Sequence, residues 1–212
     1  MLVIGNKNYS SWSLRAWLAL AHLGTECDVI CVPLYMDDFK KTLYGYSPAG
    51  KVPVYIDGDT TIWDSLAICE YLAETHPGLW PADAAARAMA RSISAEMHAG
   101  FTAIRNELPM NCRAMNRTVR LSTAAENEIA RIDDMWTTCR SEFGPDGPWL
   151  FGDFSIADVM YAPVASRLHT YDIVLGAAAN RYKDTVLSDP DMQQWFSDSV
   201  NEKEVIEIEE LG

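Results

Sequence analysis

Two prolines and a glycine fall within six residues, His76-Pro77-Gly78-Leu79-Trp80-Pro81, and the sequence is patterned differently on either side. Proline lacks a backbone donor and glycine relaxes the chain, so neither a helix nor a strand runs through such a cluster. The cluster predicts a junction between two units, residues 1–78 and 83–212. A chain of 212 residues is long enough for two small cores.

Before the junction, strand and helix signals alternate. Leu2-Val3-Ile4 reads as a short buried strand. From Ser13 onward, Leu14, Trp17, Leu18 and Ala21 recur at a helical period, and Gly24 ends the run as a C-cap would. Cys27 to Leu34 is rich in Val and Ile and predicts a second strand. Asp37 to Tyr44 predicts a short irregular helix, and Ser47-Pro48-Ala49-Gly50 a turn. Val52 to Ile56 and Thr60 to Trp63 flank Asp57-Gly58-Asp59, a strong hairpin signal. Ser65 then opens a helix with Leu66, Ile68, Cys69 and Leu72 as its apolar positions.

Beyond the junction, strand signals almost vanish. The pattern predicts one long helix over Ala82 to Leu108, and others over Thr123 to Phe143, Ser155 to Tyr171 and Asp191 to Val200. The acidic segment Asn201 to Gly212 carries no readable pattern.

Charge and leader signals narrow the function classes. The net charge is −13 with no dense basic cluster, which argues against nucleic acid and anionic membranes as partners. No apolar run reaches the roughly 18 residues that span a bilayer. The first seven residues, Met1 to Lys7, do not lead from basic residues into an apolar stretch, so a cytoplasmic location is expected. The five cysteines include no C-x-x-C pair. Cys27 and Cys31 would lie roughly 13 Å apart along a strand, too far for one metal, and no metal site is expected.

Four local features bear chemistry. Tyr9-Ser10-Ser11-Trp12-Ser13 lies between the first strand and the first helix, where backbone N–H groups and the helix dipole favour an anion. Val52-Pro53 opens a strand, a place where a cis X-Pro bond is tolerated. Asp64-Ser65 marks a second helix start. Ser155-Ile156-Ala157-Asp158 has the S-x-x-D form of a structural capping box.

Taken together and in this order, the features resemble the glutathione transferases over essentially the whole chain. The Ser10-Ser11 loop resembles the S-S-C-S-x-R motif of zeta-like classes, with Trp12 standing where that motif has cysteine. Ser47 to Pro53 is similar to the family's turn into a cis-proline strand, and Asp64 to Leu72 to its acid-Ser-x-A-I-x-x-Y-L helix start. The resemblance implies an α/β thioredoxin-like N-terminal domain with a four-stranded mixed sheet, followed by an all-α C-terminal helical bundle. It implies glutathione as co-substrate, a small electrophile as second substrate, and a homodimer.

By motif position, Ser10 would donate a hydrogen bond to the glutathione thiolate, with Ser11 the neighbouring alternative and Tyr9 a third. Val52 would pair its backbone with the cysteinyl unit beside cis-Pro53. Ser65 would take the γ-glutamyl carboxylate and Asp64 the γ-glutamyl ammonium. Lys51 would reach the glycyl carboxylate, with Lys40 or Lys41 as alternatives. Met97, Phe101, Arg105 and Met110, with His98 and Asn111 nearby, would line the electrophile pocket from one long helix, whereas the four-residue spacing of Met97 and Phe101 equally fits a core stripe. Three activities fit this resemblance: conjugation, glutathione-dependent cis-trans isomerisation, and glutathione binding without turnover.

Overall fold

The computed structural model describes residues 1–212. The strands β1 (Leu2–Ile4), β2 (Val29–Cys31), β3 (Val54–Asp57) and β4 (Thr60–Trp63) form one mixed sheet in the order β2-β1-β3-β4. β1 runs parallel to β2, with Leu2 opposite Val29, and antiparallel to β3, with Val3 opposite Val54. The parallel pair is joined through helix α1 (Ser11–His22), as a parallel pair requires a crossover. Helix α2 (Phe39–Tyr44) precedes the turn into β3, and α3 (Ser65–Thr75) follows β4. This is the thioredoxin-like arrangement that the resemblance implied.

The turn before β3 needs its glycine. Gly50 sits at φ +56°, and a Cβ there would lie 2.6 Å from the Tyr44 ring. The Val52-Pro53 bond that follows is cis.

After a single 3₁₀ turn at Pro77–Leu79, the chain is helical: α4 (Ala84–Ala99), α5 (Thr102–Glu107), α6 (Thr123–Glu142), α7 (Ile156–Thr170), α8 (Ala177–Ser188) and α9 (Pro190–Val200). Helix α7 is buried along nearly its whole length and packs against α1, α4 and α8. Its start is held by Asp158, whose carboxylate accepts from Ser155 N at 2.8 Å, Ser155 Oγ at 2.9 Å and Leu150 N at 3.1 Å. Burial pushes that carboxyl up to about 6, against the pull of these hydrogen bonds. One continuous apolar core joins α1 and α3 to the helical domain, with Leu14, Leu72, Met97, Trp136 and Leu168 all in it. No helix is long and apolar enough to cross a membrane.

The structure corrects three expectations. The long helix over Ala82 to Leu108 is two helices, broken where Gly100 is followed by Phe101 in a left-handed conformation (φ 57°). The Arg105 side chain stabilises the break: Nε donates to Gly100 O at 3.0 Å and Nη2 to Met97 O, satisfying carbonyls that the end of α4 leaves free. Helix α8 was not anticipated, although its buried residues Ala179, Tyr182 and Val186 have helical spacing. The second strand is shorter than Cys27 to Leu34, because only Val29–Cys31 pairs with β1.

Candidate active site

The turn before β3, the end of β4 and the starts of α1 and α3 enclose a cleft of about 620 Å³. Lys51, Val52, Pro53, Asp64 and Ser65 all line it, with Trp12 and Trp63 as aromatic walls. Each contributes a distinct group. The Val52 N–H and C=O have no hydrogen-bond partner within the chain, so an extended strand edge lies open to a ligand. The Ser65 hydroxyl is fully buried and also unpartnered. Such a group costs about 1–3 kcal/mol unless something binds it.

Asp64 adopts φ 80° and caps α3, with Oδ1 accepting from Leu66 N at 2.9 Å and Ala67 N at 3.4 Å. Its other oxygen lies 3.2 Å from His98 Nε2 on α4, linking the two domains across the cleft. Lys51 is exposed at the rim, whereas Lys40 and Lys41 stand exposed on α2 outside the lining.

A second pocket, of about 220 Å³, adjoins the first and shares Trp12 and Val52 with it. It contains all three hydroxyl candidates, and they differ sharply. Ser10 is the N-cap of α1: its Oγ accepts from Ser13 N at 3.3 Å and donates to Ser13 Oγ at 2.7 Å. The Tyr9 hydroxyl donates to Glu210 Oε1 at 2.6 Å and accepts from Arg113 Nη2 at 2.9 Å. Ser11 Oγ accepts from Arg167 Nη2 at 3.3 Å and gives its own proton to no group in the chain.

Beneath these hydroxyls lie three arginines. Arg15 is fully buried, with Nε donating to Met160 O at 3.2 Å and both terminal nitrogens unpartnered. Burial, reinforced by Arg105 and Arg167, lowers it to about 9, and burial with Arg105 lowers Arg167 to about 10. Arg105 is lowered too, by burial. Arg15 and Arg105 each place the guanidinium carbon 4.7 Å from the Trp12 ring centre, a cation–π arrangement that partly replaces lost hydration. None of the chain's close ion pairs involves any of the three. A protein of net charge −13 thus keeps three guanidinium groups without a close ion pair near the start of α1.

Of the residues expected to line an electrophile pocket, only Arg105 lines this cavity. Met97, Phe101 and Met110 are core side chains, each with at most 7% of its surface exposed. The break at Gly100 turns α5 away from the axis of α4, so the one-helix geometry behind that expectation does not exist. Arg167, Ile206 and Glu209 line the pocket without having been anticipated. The signal for Arg167 was present: it is a lone cation near the end of a mostly apolar helical run, Ile156 to Leu168. No group of three or more His, Cys, Asp or Glu side chains gathers in a metal-binding arrangement.

Known proteins show the same architecture. Residues 9–75 match the glutathione S-transferase N-terminal domain and residues 122–195 the C-terminal domain. Maleylacetoacetate isomerase of Rattus norvegicus is 38% identical over 177 residues, covering 78% of this chain and 77% of that protein. A probable maleylacetoacetate isomerase of Caenorhabditis elegans is 39% identical over 99 residues, an alignment that takes in 46% of each chain. Among solved structures, a Burkholderia glutathione transferase homolog with bound glutathione has a TM-score of 0.70 at 23% identity, over 95% of this chain and 97% of that one. A sheet-and-bundle fold with a ligand-ready strand edge beside a serine loop defines a glutathione-dependent enzyme class. The chain belongs to the glutathione S-transferase family.

Proposed function

We propose that the chain binds glutathione in the 620 Å³ cleft and activates its thiolate with Ser11 for addition to a small electrophile held in the adjoining pocket. The observation that carries the assignment is the contrast between the two serines. The Ser10 hydroxyl is spent on Ser13, while Ser11 is held by Arg167 with its proton unclaimed. This moves the role by one residue from the position that the motif alone favoured. Tyr9, engaged by Glu210 and Arg113, serves to anchor the 201–212 segment.

A free thiol with a pKa of about 8.5 is only roughly 3% thiolate at pH 7. Lowering that pKa by about two units takes roughly 2.7 kcal/mol of preference for the charged form. One hydrogen bond to a charged sulfur contributes about 1.5–3 kcal/mol. The start of α1 and the buried arginines add to it in the same direction. The open Val52 backbone edge supports the cysteinyl contact, and the unpartnered Ser65 hydroxyl at the start of α3 supports capture of the γ-glutamyl carboxylate. Both Lys51 and Asp64 line the cleft, which supports Lys51 as partner of the glycyl carboxylate and Asp64 of the γ-glutamyl ammonium. A cytoplasmic homodimer is part of the same reading, on family resemblance.

A second reading, glutathione-dependent cis-trans isomerisation, is favoured by the unpaired arginines, which suit a carboxylate-bearing acceptor. In that reaction the thiolate adds to a conjugated double bond, the resulting single bond rotates, and the thiolate leaves again, so glutathione is not consumed. The names of the rat and nematode relatives point the same way.

The test is thiolate absorbance as glutathione is titrated in between pH 5 and 9, for wild type, Ser11→Ala and Ser10→Ala. Wild type should show a bound-thiol pKa well below 8.5. Ser11→Ala should raise it and slow turnover by about 10–100-fold, as expected from losing about 1.5–3 kcal/mol. An unshifted pKa in wild type would refute the activation. A rise in Ser10→Ala alone would return the role to Ser10.

A further inference from the structure

The arginine pocket has one more wall, and it comes from the far end of the sequence. Residues 201–212 fold back across the serine loop and are tied down at three places. The Glu202 carboxylate accepts from Lys7 N at 2.5 Å and Asn8 N at 2.9 Å. Arg113 donates to the carbonyls of Glu202 at 2.6 Å and Glu204 at 3.0 Å. Glu210 accepts from the Tyr9 hydroxyl and from Arg117 Nη2, each at 2.6 Å. Ile206 is buried between these ties, and the short turn Glu207–Glu209 brings Glu209, half-buried, into the pocket lining opposite Arg167. The two are near enough for each to feel the other's charge, yet they form no direct ion pair.

We propose that Glu209 is a specificity-determining residue of this pocket, an internal carboxylate that partly occupies the arginine field and sets how strongly the site prefers anionic over neutral acceptors. The proposal rests on reading the pocket as the second-substrate site. Two guanidinium groups, Arg105 and Arg167, line the pocket against the one carboxylate of Glu209, so the lining keeps a net positive charge for an anionic acceptor. Glu209 therefore lowers affinity for a single carboxylate or dicarboxylate by competing for Arg167, while leaving a net attraction for it. A neutral acceptor of the same shape would feel neither effect. The contacts at Glu202 and Glu210 hold Glu209 in place, so it acts as a fixed counter-charge.

The experiment compares wild type with Glu209→Gln, which keeps the size of the side chain and removes its charge. Fumarate, a dianion, and fumaramide, its uncharged counterpart, are titrated into each protein by calorimetry at pH 7 without glutathione. Fumarate should bind Glu209→Gln about 5- to 20-fold more tightly than wild type, the span that one nearby, partly screened charge allows. Fumaramide should bind both proteins alike. Unchanged fumarate affinity, an equal gain for fumaramide, or no fumarate binding by either protein overturns the proposal. Conjugation of a neutral aryl halide by wild type, measured in the same preparation, reads the transferase assignment separately. If wild type fails to conjugate while the fumarate difference persists, that assignment falls and the role of Glu209 stands. If wild type conjugates and the difference is absent, the reverse holds.

Discussion

The two cavities at the active site are built in opposite ways. Most of the 620 Å³ cleft comes from one stretch of chain, Ala49 to Ser65, with Trp12 added from α1. The 220 Å³ pocket draws on six separated places: the serine loop, the Leu34-Tyr35 turn, Val52, Arg105, Arg167 and the 206–209 turn. The cleft presents unpaired backbone and hydroxyl groups, whereas the pocket presents unpaired guanidinium charge. Local sequence thus builds the proposed glutathione cleft, and the assembled tertiary structure builds the pocket next to it.

The dependence of the pocket on α7 gives the largest expected effect. Asp158 opens that helix, and its carboxyl is raised from 3.8 to about 6 by burial. A carboxyl raised on folding contributes stability fully below about pH 4 and loses it as pH rises through about 6, a change on the order of 3 kcal/mol. Asp158→Asn should abolish this component, so the difference in urea midpoint between variant and wild type should slope across pH 4 to 6. A flat difference would mean that the helix start is indifferent to the charge of this group.

The next test probes the cleft alone. Ser65→Ala removes a buried hydroxyl that the chain itself leaves unpartnered. Glutathione affinity should fall about 10–100-fold, as for a lost hydrogen bond to a charged group. Urea stability should stay level or rise slightly. Lost stability with intact affinity would make Ser65 a structural residue and blur the contrast between the cavities.

The smallest effect separates the two serines. Ser10→Ala removes the N-cap of α1 and should cost about 1 kcal/mol of stability in urea unfolding. Ser11→Ala, which removes no cap, should cost less than half of that. Equal losses would undo the division of labour between them.

The contrast also explains what was legible in the sequence. The hairpin at Asp57-Gly58, the Val52-Pro53 strand entry and the Asp64-Ser65 helix start are short-range signals, and each lies where it was expected. The capping box at Ser155 and Asp158 is likewise written within four residues. The pocket was misread because it depends on where a helix breaks. Met97 and Phe101 are four apart, a spacing that fits a core stripe as well as a pocket wall, and both are core: Met97 on the buried face of α4 and Phe101 at the left-handed turn after it. Glu209 could not be placed at all, since its position is set by partners about 200 residues away, Lys7, Asn8 and Tyr9, through its neighbours Glu202 and Glu210.

Those ties have a consequence for the order in which the protein matures. The strands and the first helices are made early, although α1 completes its packing only when α7 is present. The loop carrying Ser10 and Ser11 is braced by Asn111, Arg113 and Arg167, and receives its last braces from Glu202 and Glu210. At a synthesis rate of about 5–20 residues per second, those braces follow the loop off the ribosome by roughly 10–40 seconds. A nascent chain therefore has the residues of the proposed glutathione cleft well before it has those that finish the serine loop.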